Sequence, residues 1–288
     1  TPREAGGEAA GALASVDIDA SYFAERYEEA ILTLNKLTPH QREMLDTCLT
    51  TEGSFHITAP AGAGKTFVAL HFMLQKLQED PRSHVLFSAV NRPLALFVAK
   101  WLVERVRGSR KQAKLLGRLH LLFAPLSDGP HTASLRDGRL ELHPAERLPE
   151  YDIVVIDEAH HIWRDAEARA AVESYAGQRR VLLSDASQGM HDDIDYPMDL
   201  TRVELTEVVR CSMRVVLAAC KFQLSTAEYT CHHDSQGPPL NSFLFDAPES
   251  EETAYEQYAA QTLKAVQQTT ERFESVSYTH LRAHETLR

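Results

Sequence analysis

The stretch that most constrains this chain is Ser54-Phe55-His56-Ile57-Thr58-Ala59-Pro60-Ala61-Gly62-Ala63-Gly64-Lys65-Thr66. A short apolar run passes into a loop of small residues that ends in Gly-Lys-Thr, and Phe67-Val68-Ala69-Leu70 opens an apolar helix pattern. The order is strand, phosphate loop, helix. Ala61, Gly62, Ala63 and Gly64 carry little side-chain bulk, and the two glycines let the backbone turn its N–H groups inward around phosphate oxygens. The start of the following helix adds its positive dipole end. Lys65 can then reach the β- and γ-phosphates of a nucleoside triphosphate, and Thr66 can hold Mg²⁺. The first position of the pattern is Ala59 rather than glycine.

A second buried-strand pattern, Tyr151-Asp152-Ile153-Val154-Val155-Ile156, ends in the adjacent carboxylates Asp157 and Glu158, followed by Ala159-His160. Paired with the loop, Asp157 is expected to lie beside it and complete the Mg²⁺ shell, while Glu158 is placed to orient or deprotonate a water. Such a pair binds and hydrolyses a nucleotide. Arg179–Gln188 reads as another buried strand with a polar tip, where Gln188 is expected to sense the γ-phosphate by hydrogen bonding. Arg210, after Val203–Val209, either neutralises transition-state charge from a second domain or serves a structural ion pair.

The remaining signals are less specific. Thr38 fits a helix N-cap, with Pro39 at the first helical position and Gln41 completing a capping box. Gln41 also suits a second, compatible role, because an amide offers the donor and acceptor that adenine's edge requires. Asn91 and Arg92 follow the strand pattern His84–Val90, either as contacts to a phosphate backbone or as an ordinary helix start. Arg105, Arg107, Arg110, Lys111, Lys114 and Arg118 form the basic cluster, either a track for a nucleic-acid backbone or a solvated helix end. Asp128-Gly129 and Asp137-Gly138 are turn signals that frame a small hairpin around Ala133–His143. The spacings of Cys211, Cys220, Cys231, His232 and His233 fit no standard structural zinc pattern.

The 288 residues suffice for one large α/β domain and part of a second. No apolar run approaches a membrane span, and no signal-peptide pattern opens the chain at Thr1, a start that suits a fragment or processed form. Four widely spaced cysteines fit a reduced intracellular protein, cytoplasmic or nuclear. The net charge of −11 argues against a protein that coats nucleic acid over its whole surface, but leaves room for a local basic groove.

Taken in order, these stretches resemble superfamily 1 DNA/RNA helicases over about residues 35–275. Gln41 resembles the adenine-reading motif, Ala59–Thr66 the first motif, Phe87–Leu94 the motif that touches the nucleic-acid strand, and Asp157–His160 the second motif. Asp185–Gln188 resembles the third and Leu205–Arg210 the fourth. The wording Leu-Thr-Glu-Val-Val-Arg-Cys-Ser, with the later Gly237-Pro238-Pro239, is similar to Schlafen-type helicase domains. Ser184 stands where the family usually has glycine, Gly189, Met190 and His191 stand where repair helicases carry a base-stacking aromatic, and the fifth and sixth motifs are not found.

The resemblance implies an α/β fold: a RecA-like P-loop NTPase domain with a mainly parallel sheet and helices on both faces, plus the start of a second RecA-like domain. The expected boundaries are a disordered segment at 1–18, the ATP-binding domain at 19–205, a partial second domain at 206–275 and a non-native tail at 276–288. It implies ATP and Mg²⁺ as cofactors, single-stranded DNA or RNA as partner, and ATP-driven translocation or unwinding. The alternative is an ATP-binding regulatory or interaction module without helicase activity.

Overall fold

The computed structural model describes residues 36–106, 112–136, 139–175, 177–185, 194–222, 228–237, 239–243 and 250–272. The expected disordered segment, the helix pattern from Ser21 to Leu34, Arg107, Arg110, Lys111, Gln188 and the tail from 276 lie outside these residues. Contacts divide the chain into one compact unit, Asn35–Leu240, and another made of Thr1–Leu34 with Asn241–Arg288. The first unit therefore runs past residue 205, where the sequence places a domain boundary, and includes the segment that carries Arg210.

Strands form where apolar residues run without a break. Phe55–Ala59 (β1), Val85–Ala89 (β2), Leu119–Phe123 (β3) and Ile153–Ile156 (β6) are buried along their whole length. Such strands need cover on both faces, the condition of a parallel sheet. With His131–Arg136 (β4), Arg139–Pro144 (β5), Arg179–Asp185 (β7) and Thr201–Glu204 (β8) they form an eight-stranded sheet among the described residues, in the order β5-β4-β3-β2-β6-β7-β1-β8. The six strands from β3 to β8 run parallel. The β4–β5 hairpin, which spans the expected Ala133–His143, adds an antiparallel edge.

Side chains alternate between the two faces with the period of the strand. Leu86, Leu122, Val154, Ile156 and Leu182 share one face, where Ile162 and Trp163 of Ala159–Arg164 (α5) and Val172 of Ala166–Glu173 (α6) cover them. Phe55 pairs with Val181 in register and so points to the other face. There Phe72 of Lys65–Glu79 (α2) meets it edge-on at 5.2 Å between ring centroids. Arg92–Arg105 (α3) supplies Trp101, fully buried against Phe67 and His71 of α2. Pro39–Thr50 (α1) is tied down by Arg179, whose Nη2 donates to the carbonyls of Cys48 and Thr51.

The short helix Gln112–Leu116 (α4) leads into β3. Beyond β8, Glu207–Val208 (β9) pairs in parallel with Thr230–Cys231 (β10), and Met213–Phe222 (α7) lies between them in sequence. In the other compact unit, Glu251–Arg272 (α8) is a long helix. Tyr255 and Tyr258 on its apolar stripe are 68% and 60% exposed. Asn241–Phe243 carry no regular structure.

Candidate nucleotide-binding site

β1 ends at Ala59 and α2 begins at Lys65, so residues 60–64 turn the chain from sheet to helix. Gly62 and Gly64 sit at φ +83° and +87°, the left-handed region that glycine enters without a side-chain clash. Neither could carry a Cβ freely. At Gly62 it would lie 3.2 Å from the Cβ of Arg210, and at Gly64 it would lie 2.5 Å from Gln41 Nε2. The loop is thus packed from two sides as well as bent.

The carboxylates reach the loop across an intervening strand. β7 lies between β1 and β6, so the strand that carries Asp157 does not adjoin the strand that leads into the loop. Two inter-strand steps separate the strand tips by about 10 Å. The first turn of α2 closes that gap over the tip of β7. Thr66 Oγ1 donates to Asp157 Oδ2 at 2.9 Å, and Lys65 Nζ lies 3.1 Å from Glu158 Oε1. Asp157 Oδ1 also accepts from the Glu158 amide at 2.9 Å. Glu158 takes φ 49°, left-handed and costly for a side-chain-bearing residue, which turns its carboxylate back toward Lys65. Its Oε2 is buried, accepts no hydrogen bond among the described residues, and lies 3.5 Å from Nδ1 of the buried His160.

The electrostatics follow from burial. Asp157 is 2% exposed, and its desolvation holds the carboxyl above the usual carboxylate range despite the nearby Lys65. Burial alone would lower the Lys65 ammonium, but Asp157, Glu158 and Asp185 together outweigh it and push its pKa up. Asp185, 3% exposed at the tip of β7, is therefore a third acidic neighbour of Lys65. The sequence places it at the head of the stretch that resembles the third motif, without giving it a role at Lys65.

Gln41 fills the capping-box role and adds another. The amide of Gln41 donates to Thr38 Oγ1 at 3.1 Å, and the Thr38 amide donates back to Gln41 Oε1 at 3.1 Å. The far end of the same side chain, Nε2, donates to the Ala63 carbonyl at 2.9 Å, so Gln41 grips the phosphate loop. On the opposite side the amides of Val209 and Arg210 both donate to the Gly62 carbonyl, at 3.0 and 3.2 Å. This puts Arg210, an exposed residue, on the wall of the loop.

Lys65, Thr66, Asp157, Glu158, Gln41, Arg210 and the loop residues 61–64 are thus brought together. Asn91 caps α3, accepting from the Leu94 amide at 3.0 Å, and Arg92 beside it is exposed. Two members of the basic cluster are engaged elsewhere. Arg105 stacks over Trp101 at 3.9 Å, and Arg118 donates to the carbonyls of Leu77, Asp80 and Ser83 around the end of α2. Cys231 donates to the carbonyls of Cys211 and His233, and the described residues hold no group of three or more side chains able to bind a metal ion.

Among solved structures, the chain is similar to the DUF1998 helicase MrfA bound to DNA, at 15% identity and a TM-score of 0.34, covering 62% of this chain and 29% of that one. It is similar to the Pif1 helicase from Candida albicans at 12% identity and a TM-score of 0.32, covering 60% and 40%. The large terminase ATPase domain of Thermus phage P74-26 matches at 12% identity and a TM-score of 0.34, covering 66% and 87%. The chain thus spans well under half the length of the two helicases. No curated protein matches it in sequence. Residues 38–188, more than half of the chain, match the family model for DEAD/DEAH box helicases and take in Gln41, the phosphate loop and the Asp157-Glu158 pair. The chain belongs to the DEAD/DEAH box helicase family.

Proposed function

We propose that this chain is the ATP-binding and ATP-hydrolysing core of a nucleic-acid translocase or helicase, working on single-stranded DNA or RNA. The observation that carries the reading is the convergence of Lys65 and Thr66 on Glu158 and Asp157 across the tip of β7. Lys65 holds the β- and γ-phosphates, and the loop amides and the start of α2 complete the cradle. A phosphate oxygen arriving at Lys65 competes with Glu158 for the ammonium. Once released, the Glu158 carboxylate orients and deprotonates the attacking water. Arg210 offsets charge on the transferring phosphoryl group, Gln188 reports its presence, and Gln41 holds the loop through the Ala63 carbonyl.

The donor set suits Mg²⁺. Neighbouring ligands of an octahedral ion at about 2.0–2.1 Å lie roughly 2.9 Å apart, and Thr66 Oγ1 and Asp157 Oδ2 are 2.9 Å apart. Thr66 and Asp157 would hold the ion, which supplies charge neutralisation at the β- and γ-phosphates when bound. Within the helicases we favour the superfamily 1, Schlafen-type branch. The support is the wording of Leu205–Arg210, the segment docked on the phosphate loop, which we read as the lead into a second RecA-like domain.

The test is the ATPase rate of the chain with and without single-stranded RNA and DNA. Stimulation by either supports a motor. Nucleotide binding with no turnover under any of these conditions would instead make the protein an ATP-dependent interaction module.

A further inference from the structure

The geometry points to Glu207 as a positioning residue for the nucleotide site, a role that rests on the ATP-binding reading above. Glu207 touches no part of the phosphate loop, yet it joins the two elements that hold the loop from opposite sides. On one side, its Oε2 accepts from Thr38 Oγ1 at 2.7 Å. That hydroxyl is the cap of α1 and also accepts the amide of Gln41, whose Nε2 grips the Ala63 carbonyl. On the other side, Glu207 belongs to the short strand whose continuation, Val209 and Arg210, donates two amides to the Gly62 carbonyl. Oε1 lies 3.1 Å from His232 Nδ1, and the backbone amide of His232 bonds the Val208 carbonyl, so the carboxylate is held from behind as well.

The circuit Ala63–Gln41–Thr38–Glu207–Arg210–Gly62 therefore closes around the loop, and Glu207 is the one residue in it that bonds through an ionised side chain, Arg210 taking part through its backbone amide. Partial burial would raise the Glu207 carboxyl, but the bonds from Thr38 and His232, with the charges of His232 and His40, hold it below its usual range. The carboxylate thus stays ionised and accepts from both partners. A residue at 207 with no acceptor oxygen would leave Thr38 free to turn, and Gln41 with it. The loop carbonyls of Ala63 and Gly62 would then lose their fixed separation, and with them the inward aim of the amides that cradle phosphate.

The test uses the whole chain and a non-hydrolysable ATP analogue with Mg²⁺, titrated calorimetrically, beside steady-state ATPase kinetics. Glu207→Ala is expected to weaken analogue binding about tenfold and raise KM in parallel, the effect of one charge-assisted hydrogen bond. The value of kcat should stay within about twofold, because Glu207 reaches no reacting atom. Glu207→Gln, which keeps an acceptor for Thr38, should recover most of the affinity. Thr38→Ala should match Glu207→Ala, and the double variant should lose no more than either, since both cut the same circuit. Thr38→Ala carries the same expectation if Glu207→Ala does not fold. Unchanged affinity in Glu207→Ala, a loss confined to kcat, or losses that add in the double variant would each overturn the proposal. A wild-type chain that does not bind the analogue overturns the nucleotide reading itself, and this role with it.

Discussion

Three carboxylates surround one ammonium in this site, and that imbalance explains its chemistry. Lys65 is drawn up by Asp157, Glu158 and Asp185, while burial keeps Asp157 reluctant to ionise. On the proposed reading, a cation held by Thr66 and Asp157 would relieve the excess negative charge and leave Lys65 to the phosphates. Glu158→Gln should keep nucleotide binding and slow hydrolysis by about 10²–10⁴, the usual worth of a general base, measured as kcat against the analogue's Kd. Lys65→Ala should instead lose binding. A second prediction at this scale concerns His56, buried on β1, with its Nε2 2.7 Å from Ser184 Oγ. Burial, reinforced by Arg202, lowers its pKa to about 4. The unfolded chain takes up that proton near pH 6.5. Stability from His56 is thus complete above pH 6.5 and is lost as pH falls toward 4, by up to about 3 kcal/mol. Urea unfolding of His56→Gln between pH 7 and 4 should show a shallower loss than wild type. Lys65, Thr66, Asp157 and Glu158 were legible because each sits inside a motif of fixed local spacing. Asp185 and Glu207 also lie in motif-like stretches, but their places at the site were not legible, because what brings them there is strand order and a contact 169 positions apart in sequence, from Thr38 to Glu207.

At the scale of single elements, helix ends account for residues whose charge suggested another use. The carbonyls that close α2 lack partners within the helix, and Arg118 satisfies Leu77, with Asp80 and Ser83 just beyond. Arg118→Ala should destabilise the chain by roughly 1–3 kcal/mol, the range for charge-assisted hydrogen bonds, and leave analogue affinity unchanged. Chemical denaturation paired with calorimetry separates the two readouts. Arg105 stacked on Trp101 has the same lesson: composition showed a basic cluster, and packing turned part of it inward. The start of α1 was legible in more detail. Thr38, Pro39 and Gln41 announce a capping box, and the box is there. What the local pattern did not contain is the far end of Gln41, which reaches 22 positions along the chain to Ala63.

At the scale of the molecule, the sheet order determines which loops can cooperate. With β7 between β1 and β6, Asp157 just beyond the tip of β6 and Asp185 at the tip of β7 both come to the first turn of α2, into which β1 leads. The site is then a rigid product of the core, and nucleotide binding should stabilise that core as a whole. Saturating ATP analogue with Mg²⁺, at about 100 times its Kd, should add roughly 2.7 kcal/mol and raise Tm, while Lys65→Ala should show no such shift. Differential scanning fluorimetry reads both. Net charge belongs to this scale too. At −11 the surface repels a polyanion on average, so the proposed binding to single strands would have to come from local donors, and its Kd should rise steeply in a salt titration.

The sequence by itself determined the buried strands, the phosphate loop between strand and helix, and the paired carboxylates, because each depends on neighbours a few positions apart. The α/β class and the helicase family follow from these. The tertiary structure alone decided that β7 separates the two motif strands, that Glu158 turns back on a left-handed backbone to meet Lys65, and that Gln41 and Arg210 hold the loop from opposite sides. These depend on which strands pair and which segments dock, and such choices are made by the burial of whole faces, which no local spacing encodes.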